Sequence, residues 1–284
     1  MKKIITYLIL VIFIIAGILF FLTRVPAVQD ALFQRLAQNL ISTAPNIFPE
    51  EDSLSALVCG SKSPLPHPTR AETCVMIKAG EETFIFDVGN KSIDNLRNWR
   101  VPLNQLNSIF ISHLHSDHIA ELPEIHMWNW IGTGRQSKLK VYGPEGINQV
   151  LNGFTEAFSL DWKYRNDHHG DKFAPLKAAG FDGYEITDFS EPVYESNGIV
   201  ITAFLVDHKP IDPSLAFKIE YKGRSIVLSG DTIYSEAILN NSKNVDVLFH
   251  EAFHKGTLDM MYNALPENSS SRIAIVDIQN YHTN

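Results

Sequence analysis

Three histidines and a carboxylate fall within six consecutive positions, His113-Leu114-His115-Ser116-Asp117-His118, in a chain with 11 histidines among 284 residues. Grouping this close favours a metal site over a chance surface cluster. Neutral imidazole and carboxylate suit zinc, with manganese or iron as competitors. The run Leu106-Asn107-Ser108-Ile109-Phe110-Ile111 just before it predicts a buried strand, and Ile119-Ala120-Glu121-Leu122 after it predicts the first turn of a helix. On the extended part, His113 and His115 are two apart and project to the same side. Asp117 and His118 lie where the chain turns and can aim at a neighbouring point, so one segment could serve two metal ions that share a bridging water.

Further ligands must come from elsewhere in the chain. Thr83-Phe84-Ile85-Phe86-Asp87-Val88-Gly89 reads as a strand ending in an Asp-x-Gly turn. Asp87 stands in that turn. Leu228-Ser229-Gly230-Asp231-Thr232 follows an apolar strand, and Asp231 is either a ligand or an ordinary turn residue. His208 follows the strand Ile199-Val200-Ile201-Thr202-Ala203-Phe204 and is either a third imidazole or a solvent-exposed strand end.

The four residues His113, His115, Asp117 and His118 match every defined position of His-x-His-x-Asp-His, and on them the chain resembles the metallo-β-lactamase superfamily from about Leu54 onward. The resemblance implies an α/β fold, a four-layer αββα sandwich with the ligands in loops at one edge of two sheets. Val206-Asp207-His208, then Ala216-Phe217-Lys218-Ile219, then Ser229-Gly230-Asp231-Thr232, is similar to the order in the ribonuclease Z and phosphodiesterase branch. It implies His113, His115 and His208 on a first zinc, Asp117 and His118 on a second, and Asp231 between them, with Asp87 a candidate acceptor for the N–H of a ligand imidazole. Lactamases typically carry Cys or Ser at the position of Asp231, which disfavours antibiotic cleavage. His250-Glu251-Ala252-Phe253 and Tyr281-His282-Thr283 resemble later motifs of the branch. They imply a supporting role for Glu251 and make His282 a candidate general acid or oxyanion donor; His254 reads as a surface residue. The family pattern then expects one more metal-binding His after the point where this sequence stops, so the chain is expected to be either a C-terminally truncated piece of a longer protein or a natural variant with a weakened second site.

Elements around this core are set by composition. Ile4 to Leu22 is almost wholly apolar and uncharged, enough to cross a bilayer as a helix. A cleaved signal normally has a shorter apolar core and an Ala-x-Ala-like site, which is absent here. Lys2 and Lys3 precede the span and Arg24 follows it, so the positive-inside rule puts the following domain outside the cytoplasm, on a single-pass cell-membrane protein. The expected organisation is an anchor at 1–24, a membrane-proximal linker at 25–52 whose amphipathic stretch at Asp30–Ala37 is either a short helix or a solvated spacer, and one hydrolase domain at 53–284. Asp167-His168-His169-Gly170 reads as a polar loop. Cys59 and Cys74 are the only cysteines, and either pair in an oxidising compartment or stay reduced in the core. A net charge of −8 lacks the broad basic surface of a nucleic-acid binder.

The reading these features support is a membrane-anchored binuclear zinc hydrolase. It would use metal-bound hydroxide on a phosphodiester or similar small anionic ester, with Asp117 orienting the nucleophile. A lactonase or sulfatase is the alternative among enzymes, and a catalytically weak sensor or scaffold the alternative outside them.

Overall fold

The computed structural model describes residues 2–42, 47–49 and 52–284, which divide into two compact units, Met1–Asn46 and Ile47–Asn284. The first unit holds α1 (Lys2–Leu22) and α2 (Pro26–Ser42). Residues Ile4–Leu22 of α1 are long and apolar enough to span a membrane. Part of the expected linker, residues 43–46 and 50–51, lies outside the described residues.

Two sheets form the frame of the second unit. The first runs β1 (Leu54–Gly60), β2 (Cys74–Ala79), β3 (Glu82–Phe86), β4 (Leu106–Phe110), β5 (Leu139–Gly143) and β6 (Phe181–Glu185) in sequential order. Pairing is antiparallel from β1 to β3 and parallel from β3 to β6. The parallel half needs crossovers, and these include α3 (Ser92–Asn98), α4 (Ser116–Ile119), α5 (Leu122–Thr133) and α6 (Ile147–His169). The second sheet has the order β11-β10-β9-β8-β7, built from β7 (Tyr194–Ser196), β8 (Ile199–His208), β9 (Ile211–Tyr221), β10 (Arg224–Leu228) and β11 (Val247–Phe249).

Alternation along the strands explains the layering. On the first sheet Met76, Ile85 and Ile109 point to a core shared with Leu96 of α3, Ile125 and Trp130 of α5 and Trp162 of α6. Their neighbours Ile77, Phe84, Phe86 and Phe110 point the other way and meet Ile201, Leu215, Phe217 and Ile219 of the second sheet. Phe86 stacks on Phe110 at 5.0 Å and Phe110 on Tyr142 at 4.8 Å, while Phe217 meets Phe86 and Phe110 edge-on. Truncating one of these buried rings to alanine costs about 3–5 kcal/mol. Beyond the second sheet come α7 (Glu236–Asn241), which contacts β8, and the mutually packed α8 (Lys255–Ala264) and α9 (Ser271–Tyr281).

Three local features differ from, or add to, the sequence reading. Phe48, inside the stretch expected to be linker, is buried in the first core, with Ile47 packed against it. His168 and His169, expected in a loop, end the 23-residue α6, and Gly170 is its cap. Cys59 and Cys74 are joined by a disulfide with Cα atoms 5.0 Å apart, because a shift in the β1–β2 register pairs Gly60 with Cys74.

Candidate metal centre

The site forms where β3, β4, β8, β10 and β11 end and the chain turns from strand into loop. Two glycines allow the close approach. Gly230, at φ 58°, would put a Cβ 2.5 Å from the Leu215 carbonyl oxygen, and Gly89 would put one 2.1 Å from that of Asp117. Only a residue without a side chain fits either place. The Leu215 amide donates to the Ser112 carbonyl at 2.9 Å, which ties the second sheet to the end of β4. The His118 carbonyl accepts from the Val88 amide at 2.8 Å, which seats α4 on the turn after β3.

Asp87 organises the first half of the site. Its backbone has φ 58°, and its buried carboxylate accepts from the Ser112 amide, the Ser112 hydroxyl and His118 Nδ1, each at 2.8 Å. With Nδ1–H donated to Asp87, the free nitrogen of His118 is Nε2, which is buried without a hydrogen-bond partner among the described residues and lies 3.3 Å from Asp231 Oδ2. With its own hydrogen given to Asp87, Ser112 Oγ accepts from His113 Nδ1 at 3.2 Å and leaves His113 Nε2 free; that atom is 2.9 Å from His115 Nδ1.

His208 follows the same logic from the other sheet. Its Nδ1 donates to the Tyr281 carbonyl at 3.0 Å, so Nε2 is the free nitrogen, again buried and unpartnered. Among the described residues, three sets of donor atoms lie within 4.8 Å of one another: His113, His115 and His208; His113, His118 and Asp231; and His208, Asp231 and His282. Buried imidazole nitrogens with no partner, facing each other and a carboxylate, are what a coordinated cation would satisfy. The residues therefore fit a metal.

Electrostatics point the same way. Burial, then the neighbouring His118 and other imidazoles, holds His113 well below its ordinary pKa, and burial likewise lowers His115 and His208. All three are then neutral ligands near pH 7. Burial opposes a charge on His118, but Asp87 and Asp231 outweigh it and raise its pKa well above the ordinary value. Burial also disfavours ionised Asp231, yet His118, His113 and His282 hold its carboxyl far below the usual range. The space between His118 and Asp231 thus favours a positive charge.

The remaining candidates fall around this centre. Asp117 is buried with its pKa raised, chiefly by burial, and its Oδ2 is 3.9 Å from His118 Nε2; it lies outside the three donor sets. His282 caps the C-terminus of α9, with Nδ1 3.3 Å from Glu251 Oε1 and 3.8 Å from Asp231 Oδ2. Glu251 Oε1 also accepts from the amides of Thr283 at 2.9 Å and Thr232 at 3.3 Å. His254 is an exposed N-cap of α8, its ring accepting from the Thr257 amide. Sequence reasoning gave no role to Ser112 or the Tyr281 carbonyl, which fix the tautomers of His113 and His208. For Ser112 the signal was present, a small hydroxyl residue where a strand meets the first ligand.

Two sheets with helices outside them, and this cluster of imidazoles and carboxylates at their edge, define a metallo-β-lactamase-fold hydrolase. The chain belongs to the family described as "Anti-Pycsar protein Apyc1", which it matches over residues 58–282, and so to the ribonuclease Z and phosphodiesterase-like branch of the superfamily. A ribonuclease Z of Mycolicibacterium gilvum (strain PYR-GCK) is 30% identical over 232 residues, covering 81% of this chain and 76% of that protein. Among solved structures, the metallo-β-lactamase fold protein YhfI from Bacillus subtilis superposes with TM-score 0.57 at 18% identity, covering 82% of this chain and 78% of YhfI. The short form of human tRNase Z gives TM-score 0.56 at 20% identity, covering 80% and 92%.

Proposed function

We propose that the protein is a membrane-anchored, binuclear zinc-dependent hydrolase of phosphodiesters or similar small anionic esters. The observation that carries this reading is the convergence of free, buried Nε2 atoms of His118 and His208 on Asp231. His113, His115 and His208 would hold one ion, Asp117 and His118 the other, and Asp231 both; manganese or iron are the alternative metals. Bound there, the ions would supply Lewis acidity and a water acidified to a pKa of about 7.

The chain's own groups divide the remaining work. Asp117, beside His118, would orient the attacking water. Asp87 and the Tyr281 carbonyl hold the ligand imidazoles in one tautomer, so no reorganisation is needed on binding. His282 would give a proton to the leaving oxygen. Burial lowers its pKa, but the hydrogen bond to Glu251 and the charge of Asp231 outweigh this and raise it, which keeps more of the acid form near neutral pH. Relatives named for cleaving RNA support phosphodiester chemistry, while the net charge of −8 argues for a small substrate over a polyanion.

The Cys59–Cys74 disulfide supports a domain at 53–284 outside the cytoplasm, behind an anchor at 1–24 and a linker at 25–52. A phosphatase reporter fused after Asn284 should be active only on the outer side. The test of the chemistry is turnover by the purified, zinc-loaded chain. Bis-p-nitrophenyl phosphate should be cleaved in preference to lactones and aryl sulfates. Preference for either of those classes would move the activity to a lactonase or sulfatase, and a metal-replete chain inert on all three would be a sensor or scaffold.

A further inference from the structure

The connection between α1 and α2 is short and built. Three residues, Thr23-Arg24-Val25, separate the helices, and Gln29 Nε2 on the first turn of α2 donates to the Thr23 carbonyl at 3.0 Å. The Gln29 amide to Val25 carbonyl bond, at 3.0 Å, continues α2 directly from this bend. The first turn of α2 is therefore held next to the end of α1. A helix of 17 residues is about 25 Å long, so its faces must be satisfied by whatever lies beside the end of the apolar span.

Those faces are distinct. At 100° per residue, Val25, Val28, Leu32, Leu36 and Phe33 fall on one side, and Asp30, Gln34 and Gln38 on the other. Two polar residues share the apolar side: Gln29, whose amide is taken up by Thr23, and Asn39, about one turn beyond Leu36. The apolar residues are left open, Leu32 at 48%, Leu36 at 60% and Phe33 at 73% exposure. A second copy would need a heptad seam. The seam begun by Val25, Val28 and Leu32 is broken by Arg35 at its next position. An apolar side opposite a polar one suits the boundary between headgroups and acyl chains, and with Asp30 and Arg35 as the only charges of α2 the hold on lipid must come from apolar insertion.

We infer that α2 lies in the plane of the outer membrane leaflet, with Leu32, Phe33 and Leu36 inserted among the acyl chains. It is an interfacial helix that adds a second hold on the lipid. The inference rests on reading α1 as a membrane span. Because the inserted face carries no net charge, the association does not depend on anionic lipid.

The test uses the full chain reconstituted in phosphatidylcholine vesicles. The protein has no free cysteine, so single variants Leu32→Cys, Phe33→Cys, Leu36→Cys, Gln34→Cys and Gln38→Cys take one environment-sensitive fluorophore each. Gly17→Cys in the span serves as the control, since nothing lies within 4 Å of its added Cβ. Brominated lipid should quench labels at 17, 32, 33 and 36 severalfold more than those at 34 and 38, with or without anionic lipid. Strong quenching at 17 with equal, weak quenching at 33 and 34 would overturn the interfacial helix alone. Disulfide-linked dimers through Leu32→Cys or Leu36→Cys, without quenching, would overturn it in favour of a second copy. Absence of quenching at 17 would overturn the membrane span and this inference with it.

Discussion

Replacing Asp87 by Asn tests whether a buried carboxylate that touches no substrate prepares the metal centre. Asn tolerates the left-handed backbone at φ 58°, so the substitution removes charge without backbone strain. It keeps one acceptor oxygen for the Ser112 amide and presents an NH2 group where the Ser112 hydroxyl and His118 Nδ1 now donate. Two hydrogen bonds to a charged acceptor are lost, at about 1.5–3 kcal/mol each. Relief from burying the charge offsets part of this, and the metal-free chain should be destabilised by about 3 kcal/mol. The tautomer change matters more for binding. Once Nδ1 of His118 accepts, its proton moves to Nε2, the atom that faces Asp231. Zinc affinity should then fall about 10–100-fold. Urea unfolding in detergent with chelator present, followed by tryptophan fluorescence, measures the first quantity, and competition with a chromophoric chelator the second. Unchanged zinc affinity in a variant that is folded would refute the role given to Asp87.

Other consequences follow from individual side chains. His126 on α5 is buried against Trp130, Trp162 and Phe181, accepts from the Gly180 amide at 2.8 Å, and is lowered by burial from 6.5 to about 4. The unfolded chain binds this proton first, so the stability it holds is intact above about pH 6.5 and lost as pH falls toward 4, about 3 kcal/mol in all. His126→Gln should flatten that part of the stability–pH curve, and an unchanged slope would show that His126 does not set it. Reducing the Cys59–Cys74 bond, which spans a separation of 15 residues, should cost about 3 kcal/mol, read as a lower urea midpoint. Asp231→Ala should lose metal and activity together, whereas His282→Ala should keep its metal and lose about 10²–10⁴-fold in rate, less with p-nitrophenolate leaving groups. Release of zinc by His282→Ala would make it a ligand, as its place beside His208 and Asp231 also permits.

The parts of the site visible in sequence were those written within one element. His113, His115, Asp117 and His118 are close in the chain, and their spacing already implies direction. Asp231 and His208, at the ends of apolar strands, were told apart from a turn residue and an exposed strand end by the resemblance to the superfamily. What stayed hidden depends on contacts between elements. The triangle of Asp87, Ser112 and His118 joins residues up to 31 positions apart, and the tautomer of His208 is set by a carbonyl 73 positions away. Pairing of the two cysteines turned on a strand register that composition cannot give. His126 looked like any helical histidine until three aromatic rings closed around it. The stretch at His168 was misjudged because its polar residues continue the solvated face of α6 instead of breaking it.

Elemental analysis of the purified protein, continued through any segment that follows Asn284, and of its His113→Ala, His115→Ala double variant tests the central claim most directly. The account predicts close to two zinc ions per chain in the unaltered protein, at most one in the double variant, and loss of diesterase activity with the missing ion. A double variant that keeps its full metal complement would contradict the ligand assignment on which the proposed chemistry stands.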